Sequence, residues 1–270
     1  LGAAPKEPGG GGLTMTGSRK PQAEVAAPSV DAVQAALNAT QHVPKPMGRR
    51  VALVIGNGAY GDNALRNPPG DARAMAEALR RCGFEVIERI DADRKTMLRA
   101  IHEFGEQLAG TEAGLFYFAG HGIQVKGRNF LIPTGAAIDH ESSVEYEGVD
   151  VGRVMVAMEE GGKGTHIVIL DACRNNPFQR AFRSATRGLA MVDAPRGTYI
   201  AYSTAPGDVA ADGSGEHGLY TDHLLRNIET PGLPIEEVMK RVRKGVITTS
   251  GGAQVPWESS SLTGEFSFVP

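Results

Sequence analysis

Two short apolar runs, each ending in a residue that can take part in catalysis, constrain this sequence most. One run, Ile167–Leu170, lies just before Cys173, and the other, residues 114–120, leads into His121. Short, uninterrupted apolar runs of this kind are typical of strands buried on both faces of a parallel sheet. Open α/β sheets bind ligands just beyond the carboxyl ends of their strands. We therefore expect the thiol and the imidazole at one edge of the same sheet.

Strand-like and helix-like segments alternate from Arg49 onward, which predicts an α/β fold with a mostly parallel sheet and helices on both faces. Residues 49–270 are expected to form one domain. Residues 1–48, rich in Gly, Pro and Ala and without an aromatic residue, are expected to be a flexible extension. The predicted strands are 51–55, 84–90, 114–122, 167–173, 198–203 and 264–269, with a hairpin through Lys126-Gly127; the predicted helices are 71–81, 94–108, 149–158, 217–229 and 234–248.

Composition excludes several classes of partner. The net charge of −3 gives no reason to expect nucleic acid, and no apolar run approaches the roughly 20 residues of a membrane span. Two cysteines, Cys82 and Cys173, form neither a disulfide framework nor a CxxC zinc motif, so no cofactor is predicted. A monomer is expected. The chain begins at Leu1 rather than Met, which leaves room for a removed leader; the compartment is undetermined, with the cytoplasm favoured.

A glycine motif after the first strand raises a nucleotide-binding alternative. Residues 56–61 read G-x-G-x-x-G, the fingerprint of a loop whose following helix holds a pyrophosphate. Here Asn67-Pro-Pro-Gly70 intervenes, and the first predicted helix begins at Asp71. Because that helix starts too far from the glycines to hold a phosphate, the nucleotide reading is disfavoured.

The cysteine and histidine are more informative together than alone. A thiol becomes a good nucleophile only as a thiolate, and a nearby imidazole can accept its proton. His121 is flanked by Gly120 and Gly122, which let a substrate backbone approach closely, whereas His166 lies at the far end of the Cys173 strand. An inert cysteine and a satisfied core histidine are the favoured interpretation for either residue alone. For a pair at adjacent strand ends, catalysis is favoured.

Backbone groups next to this pair are candidates for an oxyanion hole. The N–H groups of Gly122 and Cys173 are both predicted to stand in sharp turns that leave strands. The sequence reveals no third catalytic member.

Two motifs carry a resemblance to a known family. In Phe118–Gly122 (FAGHG) and Leu170–Arg174 (LDACR), with Cys173 52 residues after His121, the sequence resembles the caspase-like cysteine peptidases. It is most similar to their prokaryotic metacaspase-type branch, the orthocaspases. The resemblance implies an endopeptidase in which His121 is general base and then acid and Cys173 is the nucleophile. Similar segments at 51–57, 67–71, 202–207 and 220–225 extend the resemblance over residues 50–269.

Asp171 stands where animal caspases have a Gln that helps to bind a substrate Asp. Strand periodicity predicts that Asp171 and Cys173 share a side, where a carboxylate would repel acidic side chains and pair with Arg or Lys. In the metacaspase-type branch this Asp and one matching Asp71 line the pocket for a basic residue, so the resemblance implies cleavage after Arg or Lys. Asp71 could instead cap the helix predicted to begin there. Asp208 is a third candidate for the pocket.

Calcium is not expected to bind. Calcium-dependent metacaspases carry an acidic cluster after the catalytic His and a further Asp after the Cys. Residues 123–137 and 175–186 contain no carboxylate, so the oxygen-rich ligands that calcium needs are missing from both segments.

The segment 174–196 suggests self-processing. It leaves the predicted site directly and contains five arginines against one acid. A basic loop tethered beside an Arg-preferring nucleophile is presented at high effective concentration. Arg180, Arg183 and Arg187 are the candidate sites, the alternative being a firmly packed loop that is never cut. A rival from a different class remains for the whole chain: a catalytically silent caspase-like module that binds peptides or assembles with partners.

Overall fold

A computed structural model describes residues 47–173, 189–205 and 215–270. The strands found there are β1 (Arg50–Gly56), β2 (Phe84–Ile90), β3 (Ala113–Val125), β4 (Arg128–Leu131), β5 (Val149–Asp150), β6 (Thr165–Cys173), β7 (Thr198–Tyr202) and β8 (Trp257–Ser260). The helices are α1 (Pro68–Arg81), α2 (Arg94–Gln107), α3 (Val144–Glu147), α4 (Val151–Gly161), α5 (Leu219–Ile228) and α6 (Ile235–Thr249). Short 3₁₀ turns span Gly61–Asn63 and Glu141–Ser143.

The strands form a mostly parallel sheet in the order β2-β1-β3-β6-β7-β8, which confirms the predicted α/β class. The first five strands of that order are parallel, and β8 adds an antiparallel edge. The chain passes from β1 to β2 on one side and returns to β3 on the other. Loops that follow β1 and β3 therefore diverge, and such a switch point is where open α/β sheets bind ligands.

Helices cover both faces of the sheet because its central strands are apolar on both sides. All seven residues of β1 are buried. On one face, α1, α5 and α6 pack on the sheet through residues such as Met75, Leu224 and Val238. On the other face, α2 and α4 do so through residues such as Phe104 and Val154.

The strand that carries His121 is longer than predicted. β3 does not end near His121 but continues to Val125, where it pairs with β4 as an antiparallel hairpin. Lys126 and Gly127, with φ of 50° and 78°, form the predicted turn. Two positive φ values in a two-residue loop match the twist of a hairpin. Gly122 therefore lies inside a strand, and the prediction that it stands in a sharp turn was wrong.

Helix α1 begins earlier than predicted. It starts at Pro68 rather than Asp71, because proline is tolerated in the first turn, where its missing N–H has no helical partner to lose. Asn67 is the residue before the helix, and the backbone N–H of Asp71 donates to Asn67 O at 2.9 Å. Asp71 thus lies within the first turn, and the capping alternative for this residue is wrong.

The end of the chain also differs from the prediction. Residues 264–269 form only isolated bridges to Pro231 and Pro234, whereas Trp257–Ser260 supplies the edge strand β8. Phe266 and Phe268 are 4% and 1% exposed. The alternating aromatic pattern therefore reflects burial against the core rather than a place in the main sheet.

Candidate active site

His121 and Cys173 are direct neighbours across two parallel strands. Cα pairing aligns Gly120 of β3 with Ala172 of β6, and His121 with Cys173, which is the last residue of β6. Adjacent strands lie about 4.8 Å apart. The backbone therefore brings together the two residues that the sequence singles out as nucleophile and base. His166 pairs with Gly114 at the other edge of the sheet, as predicted.

The loop after β1 holds the His121 imidazole. His121 as a whole is 3% exposed, its Nε2 lies 2.8 Å from Asn63 O, and the Tyr60 ring is tilted against the imidazole with 4.5 Å between centroids. A carbonyl oxygen only accepts, so Nε2 carries the hydrogen. In the neutral ring the lone pair then belongs to Nδ1. The Asn63 carbonyl thus fixes the tautomer of the neutral His121 ring, a contact that the sequence did not reveal.

Tyr60 also ties this loop to the hairpin. The backbone N–H of His121 donates to Tyr60 Oη at 3.2 Å, and Tyr60 Oη donates to Ile132 O at 2.9 Å. Gly120 is needed for this contact, because a Cβ added there would lie 2.6 Å from Tyr60 Oη. The φ of Gly120, 153°, also favours glycine.

The peptide group after His121 has a defined direction. Ile132 N donates to His121 O at 2.9 Å, so this carbonyl faces the residue that directly follows β4. In a trans peptide the following N–H, that of Gly122, points the opposite way. Ile132 lies beside the loop after β1, since its carbonyl also accepts from Asn57 Nδ2 at 3.2 Å. The Gly122 N–H is therefore directed toward the flank where β6 ends at Cys173.

Gly122 is also required for close packing. A Cβ at this position would lie 2.9 Å from the Cβ of Ala172 and 3.0 Å from Cδ2 of Leu189. Glycine thus keeps β3 and β6 in contact at the point where the two candidate residues pair.

The two carboxylates predicted to bind a basic side chain converge. Asp71 is 2% and Asp171 9% exposed. A Cβ added to Gly218 would lie 3.0 Å from Asp71 Oδ2 and 3.6 Å from Asp171 Oδ2, so both acids face this one residue. Asp71 comes from α1 and Asp171 from β6, 100 positions apart in the sequence. The predicted pairing of these acids is therefore matched by their placement.

The amino terminus of α5 supplies donors to both acids. Gly218 N, just before the helix, donates to both oxygens of Asp71 at 3.2 Å. Thr221 Oγ1, in the first turn, donates to Asp171 Oδ2 at 2.7 Å. The partial positive charge of a helix amino terminus stabilises negative groups there. These contacts let two like charges lie close together inside the protein.

A buried tyrosine completes the support of Asp171. Tyr117 Oη lies 2.6 Å from Thr221 Oγ1. Because the single Thr221 hydroxyl hydrogen is donated to Asp171, the Tyr117 hydroxyl donates to Thr221. Burial raises the pKa of Tyr117 well above its usual value, and the charges of Asp171 and Asp71 raise the pKa further. The pKa of Tyr220 is raised for the same two reasons, burial and Asp171.

The glycine motif after β1 serves packing rather than a phosphate. The N–H groups of Gly58 and Ala59 donate to Asp91 Oδ1 at 2.7 and 2.9 Å, so a carboxylate of the chain itself occupies the loop. A Cβ on Gly56 would lie 2.3 Å from Pro68 O, at the start of α1. These contacts account for two of the glycines without a nucleotide.

The remaining candidate residues either lie in the core or fall outside the described part of the chain. Cys82 is buried, and burial raises the pKa of its thiol to about 11, which confirms it as a small core residue. The described residues hold no cluster of three metal-ligating side chains, and none of their helices is long and apolar enough to cross a membrane. Outside the described residues lie Asp208, Arg180, Arg183 and Arg187. For Cys173 the structure describes the backbone but not the side chain.

A thiol-bearing residue paired with a histidine at the edge of an α/β sheet defines a class of peptidases, and the comparison with known families agrees. The chain belongs to the caspase-domain family of cysteine peptidases, which it matches over residues 49–267. Membership implies a polypeptide substrate.

Individual relatives cover less of the chain. It is 31% identical to the human protein "Mucosa-associated lymphoid tissue lymphoma translocation protein 1" over 139 residues, which are 51% of this chain and 16% of that protein. It is 32% identical to the homologue from Mus musculus over 126 residues, 46% of this chain and 15% of the mouse protein. The matched part is thus less than a fifth of either relative.

Proposed function

We propose that this chain is a cysteine endopeptidase that cleaves polypeptides after Arg or Lys. The observation that carries the proposal is the direct pairing of His121 with Cys173, two residues along β6 from a buried carboxylate, Asp171. The caspase-domain family supports the reaction class. The finer assignment to the metacaspase-type branch rests on the two sequence motifs and on the acidic pair.

In the proposed mechanism, Nδ1 of His121 accepts the proton of the Cys173 thiol, and the sulfur attacks the scissile carbonyl carbon. A C–S bond forms and the carbonyl oxygen becomes an oxyanion. The imidazolium then gives its proton to the leaving amine as the C–N bond breaks. Water, deprotonated by His121, hydrolyses the thioester and restores the thiol. The contact of Nε2 with the Asn63 carbonyl supports this order of steps, because it keeps Nδ1, rather than Nε2, as the basic atom of His121.

The oxyanion is proposed to be stabilised by the N–H groups of Gly122 and Cys173. The direction of the Gly122 N–H, toward the flank where β6 ends, supports this role although the residue lies within β3. A glycine also leaves no side chain between the backbone and a substrate carbonyl.

Asp71 and Asp171 are proposed to bind the basic side chain before the scissile bond. Two buried carboxylates favour a cation and disfavour the acidic side chain that animal caspases accept. A guanidinium can donate to both acids at once. Asp208 remains a third proposed contributor.

One pair of variants distinguishes the proposed peptidase from its rival, a catalytically silent binding module. Cys173→Ala should lower cleavage of an Arg-containing reporter peptide by at least about 10³-fold. Cys82→Ala, which removes the other cysteine from the core, should retain activity, and the melting temperature of Cys173→Ala should stay near that of the wild type. A wild type that binds the peptide but never cuts it would favour the rival, whereas cleavage that survives in Cys173→Ala would refute Cys173 as the nucleophile.

Self-cleavage is proposed for the segment before residue 189. Residues 189–194 are anchored, since Leu189 is buried, Asn129 exchanges two hydrogen bonds with the Ala190 backbone, and Ala194 N donates to Ser259 Oγ. The anchoring narrows the predicted loop to 174–188, which still contains the three candidate arginines. Intact-mass spectrometry should find fragments ending at Arg180, Arg183 or Arg187 in the wild type and none in Cys173→Ala. An active wild type that remains uncut would end this part of the proposal.

A further inference from the structure

The hairpin of β3 and β4 has an irregular link beside the candidate site. Val125 and Arg128 flank its two-residue turn and are paired across it. In an antiparallel hairpin of this kind, every second pair of opposite residues, starting at the turn, exchanges both backbone hydrogen bonds. Counted by twos from the turn, His121 and Ile132 form such a pair. Direct bonds in both directions are therefore expected between them.

A side-chain hydroxyl takes the place of one of these two bonds. Ile132 N donates to His121 O at 2.9 Å, as the ladder requires. The return link runs through Tyr60, whose Oη accepts from His121 N at 3.2 Å and donates to Ile132 O at 2.9 Å. A phenol is both a donor and an acceptor, so one hydroxyl can serve both backbone groups. The Tyr60 hydroxyl is thus inserted into the ladder at the residue that carries the base.

The residues around the hydroxyl fit this insertion. A Cβ at Gly120 would lie 2.6 Å from Tyr60 Oη, so glycine leaves the space that the hydroxyl fills. On the other side, Asn57 Nδ2 donates to the same Ile132 carbonyl at 3.2 Å, and Asn57 is fully buried. Ile132 O is therefore held in place, and the hydroxyl bonded to it fixes how closely the His121 N–H can approach.

We propose that Tyr60 is a positioning residue whose inserted hydroxyl keeps His121 away from Ile132 and toward Cys173. The inference rests on the proposed reaction of the His121–Cys173 pair. Ile132 and β6 contact β3 on opposite sides. A direct bond from His121 N to Ile132 O would bring these two atoms to about 2.9 Å and draw His121 away from Cys173.

The test removes the hydroxyl and keeps the ring, which lies 4.5 Å from the imidazole between centroids. In Tyr60→Phe we expect kcat for an Arg-containing reporter peptide to fall about tenfold with KM little changed, because the base is displaced while the acidic pair is not. Alkylation of Cys173 by iodoacetamide at pH 7 should slow by a similar factor, since it needs His121 but no substrate. Tyr146→Phe is the matched control, because it removes the same hydroxyl from a residue that is 76% exposed. It should keep wild-type values.

A double-mutant cycle tests whether the hydroxyl acts at the inserted position. The Cβ introduced by Gly120→Ala displaces Tyr60 Oη in the wild type, whereas in Tyr60→Phe it meets no hydroxyl. Its other close side-chain contact, with Phe118 Cζ at 2.8 Å, is common to both backgrounds and cancels in the cycle. The fold loss in kcat caused by Gly120→Ala should therefore be several times smaller in the Tyr60→Phe protein.

Thermal melting should show that each variant folds. If Tyr60→Phe does not, Tyr60→4-aminophenylalanine replaces it, because the amine still donates to Ile132 O but accepts poorly from His121 N; its loss should be smaller and in the same direction.

Each remaining outcome decides the proposal. Wild-type kcat and labelling in a folded variant without the hydroxyl would overturn the role of Tyr60 and leave the peptidase standing. An equal cost of Gly120→Ala in both backgrounds would overturn the inserted position. A wild type that neither cuts the peptide nor labels rapidly at Cys173 would overturn the proposed function, and the role of Tyr60 with it.

Discussion

Charged side chains are buried at both ends of the central strands, which are called here the amino-terminal edge and the carboxyl edge of the sheet. The two edges differ in the groups that contact those charges. At the amino-terminal edge, Arg50 is 2% exposed, donates to Glu112 at 3.0 Å and donates to the carbonyls of Ser267 and Phe268 at 3.2 and 2.8 Å. Its guanidinium also lies over the Phe266 ring, 5.0 Å from the centroid. The chain itself surrounds this cation with an acid, two carbonyl dipoles and an aromatic face.

At the carboxyl edge the buried charges are the anions Asp71 and Asp171. The contacts described for them come from a hydroxyl, a backbone N–H and the imidazole of His217, none of which has a fixed positive charge. These donors orient the two carboxylates. We expect the enclosed cation Arg50 to serve the stability of the fold, and the two acids, which lie beside the His121–Cys173 pair, to serve recognition.

The largest effect is expected from Asp171→Asn, which tests whether the charge at the carboxyl edge serves substrate binding. Asn keeps an oxygen that can accept from Thr221 but removes the charge. We expect kcat/KM for an Arg substrate to fall about 10²- to 10³-fold, on the order of 3–4 kcal/mol, because the bound cation is left poorly paired.

The control for Asp171→Asn is the same peptide with citrulline, whose cleavage should change little. Equal losses on both peptides would mean that the substitution damages the site generally. Comparable cleavage of an Asp peptide by the wild type would refute the basic pocket itself.

The opposite edge should respond in stability rather than in activity. Arg50→Met removes the enclosed cation and the donor to the Ser267 and Phe268 carbonyls, while Glu112 keeps only the N–H of Gly48 among its described side-chain partners. The free energy of unfolding in urea should drop by about 2–3 kcal/mol, while kcat/KM stays near the wild-type value.

Arg49→Met is the matched control, since the Arg49 side chain is 41% exposed and pairs with an exposed Glu85. It should change the stability little. Were Arg50→Met to lower kcat/KM as strongly as Asp171→Asn, the separation of the two edges would be wrong.

The two cysteines sharpen the comparison further. Cys82 lies near Arg50, and its pKa of about 11 leaves about one ten-thousandth of it as thiolate at pH 7. We expect iodoacetamide at pH 7 to label the folded protein once, at Cys173, at least about tenfold faster than at Cys82. Peptide mapping identifies the labelled residue, and His121→Ala should slow the labelling. Equal labelling of both thiols would show that Cys173 is not activated.

The smallest effect is expected from calcium. The acidic pair supplies only two close carboxylates, fewer than the oxygen ligands that calcium takes. Activity should therefore survive EGTA and gain little from millimolar calcium. Loss of activity in EGTA with recovery on adding calcium would show that the acidic edge also serves a metal.

The sheet and the pairing of His121 with Cys173 at the carboxyl ends of its strands were predictable because the relevant signals are local. Short β-branched apolar runs such as Ile167–Leu170 are typical of central strands, and parallel strands bring their carboxyl ends together. The hairpin turn at Lys126-Gly127 follows from the conformations that its residues tolerate. These features required no knowledge of distant contacts.

Other features depend on tertiary contacts that leave no pattern in the sequence. Asn63 acts through its backbone carbonyl, which every residue possesses. His217 meets Asp71 across 146 positions, and the order of charges along the chain does not signal such a meeting. The alternation of Phe266 and Phe268 is strand-like, but packing against Arg50 decides their place.

The pairing of His121 with Cys173 makes the reacting geometry a matter of alignment between two backbones rather than of distance along the chain. The segment between the two strands is not interchangeable, because Ile132 bonds to His121 O and to Tyr60 Oη, and Val154 and Met158 of α4 belong to the core. A single deletion inside β3 or β6 would turn one partner to the opposite face of the sheet. The lengths of β3 and β6 up to this pair are therefore constrained as strictly as the identities of His121 and Cys173.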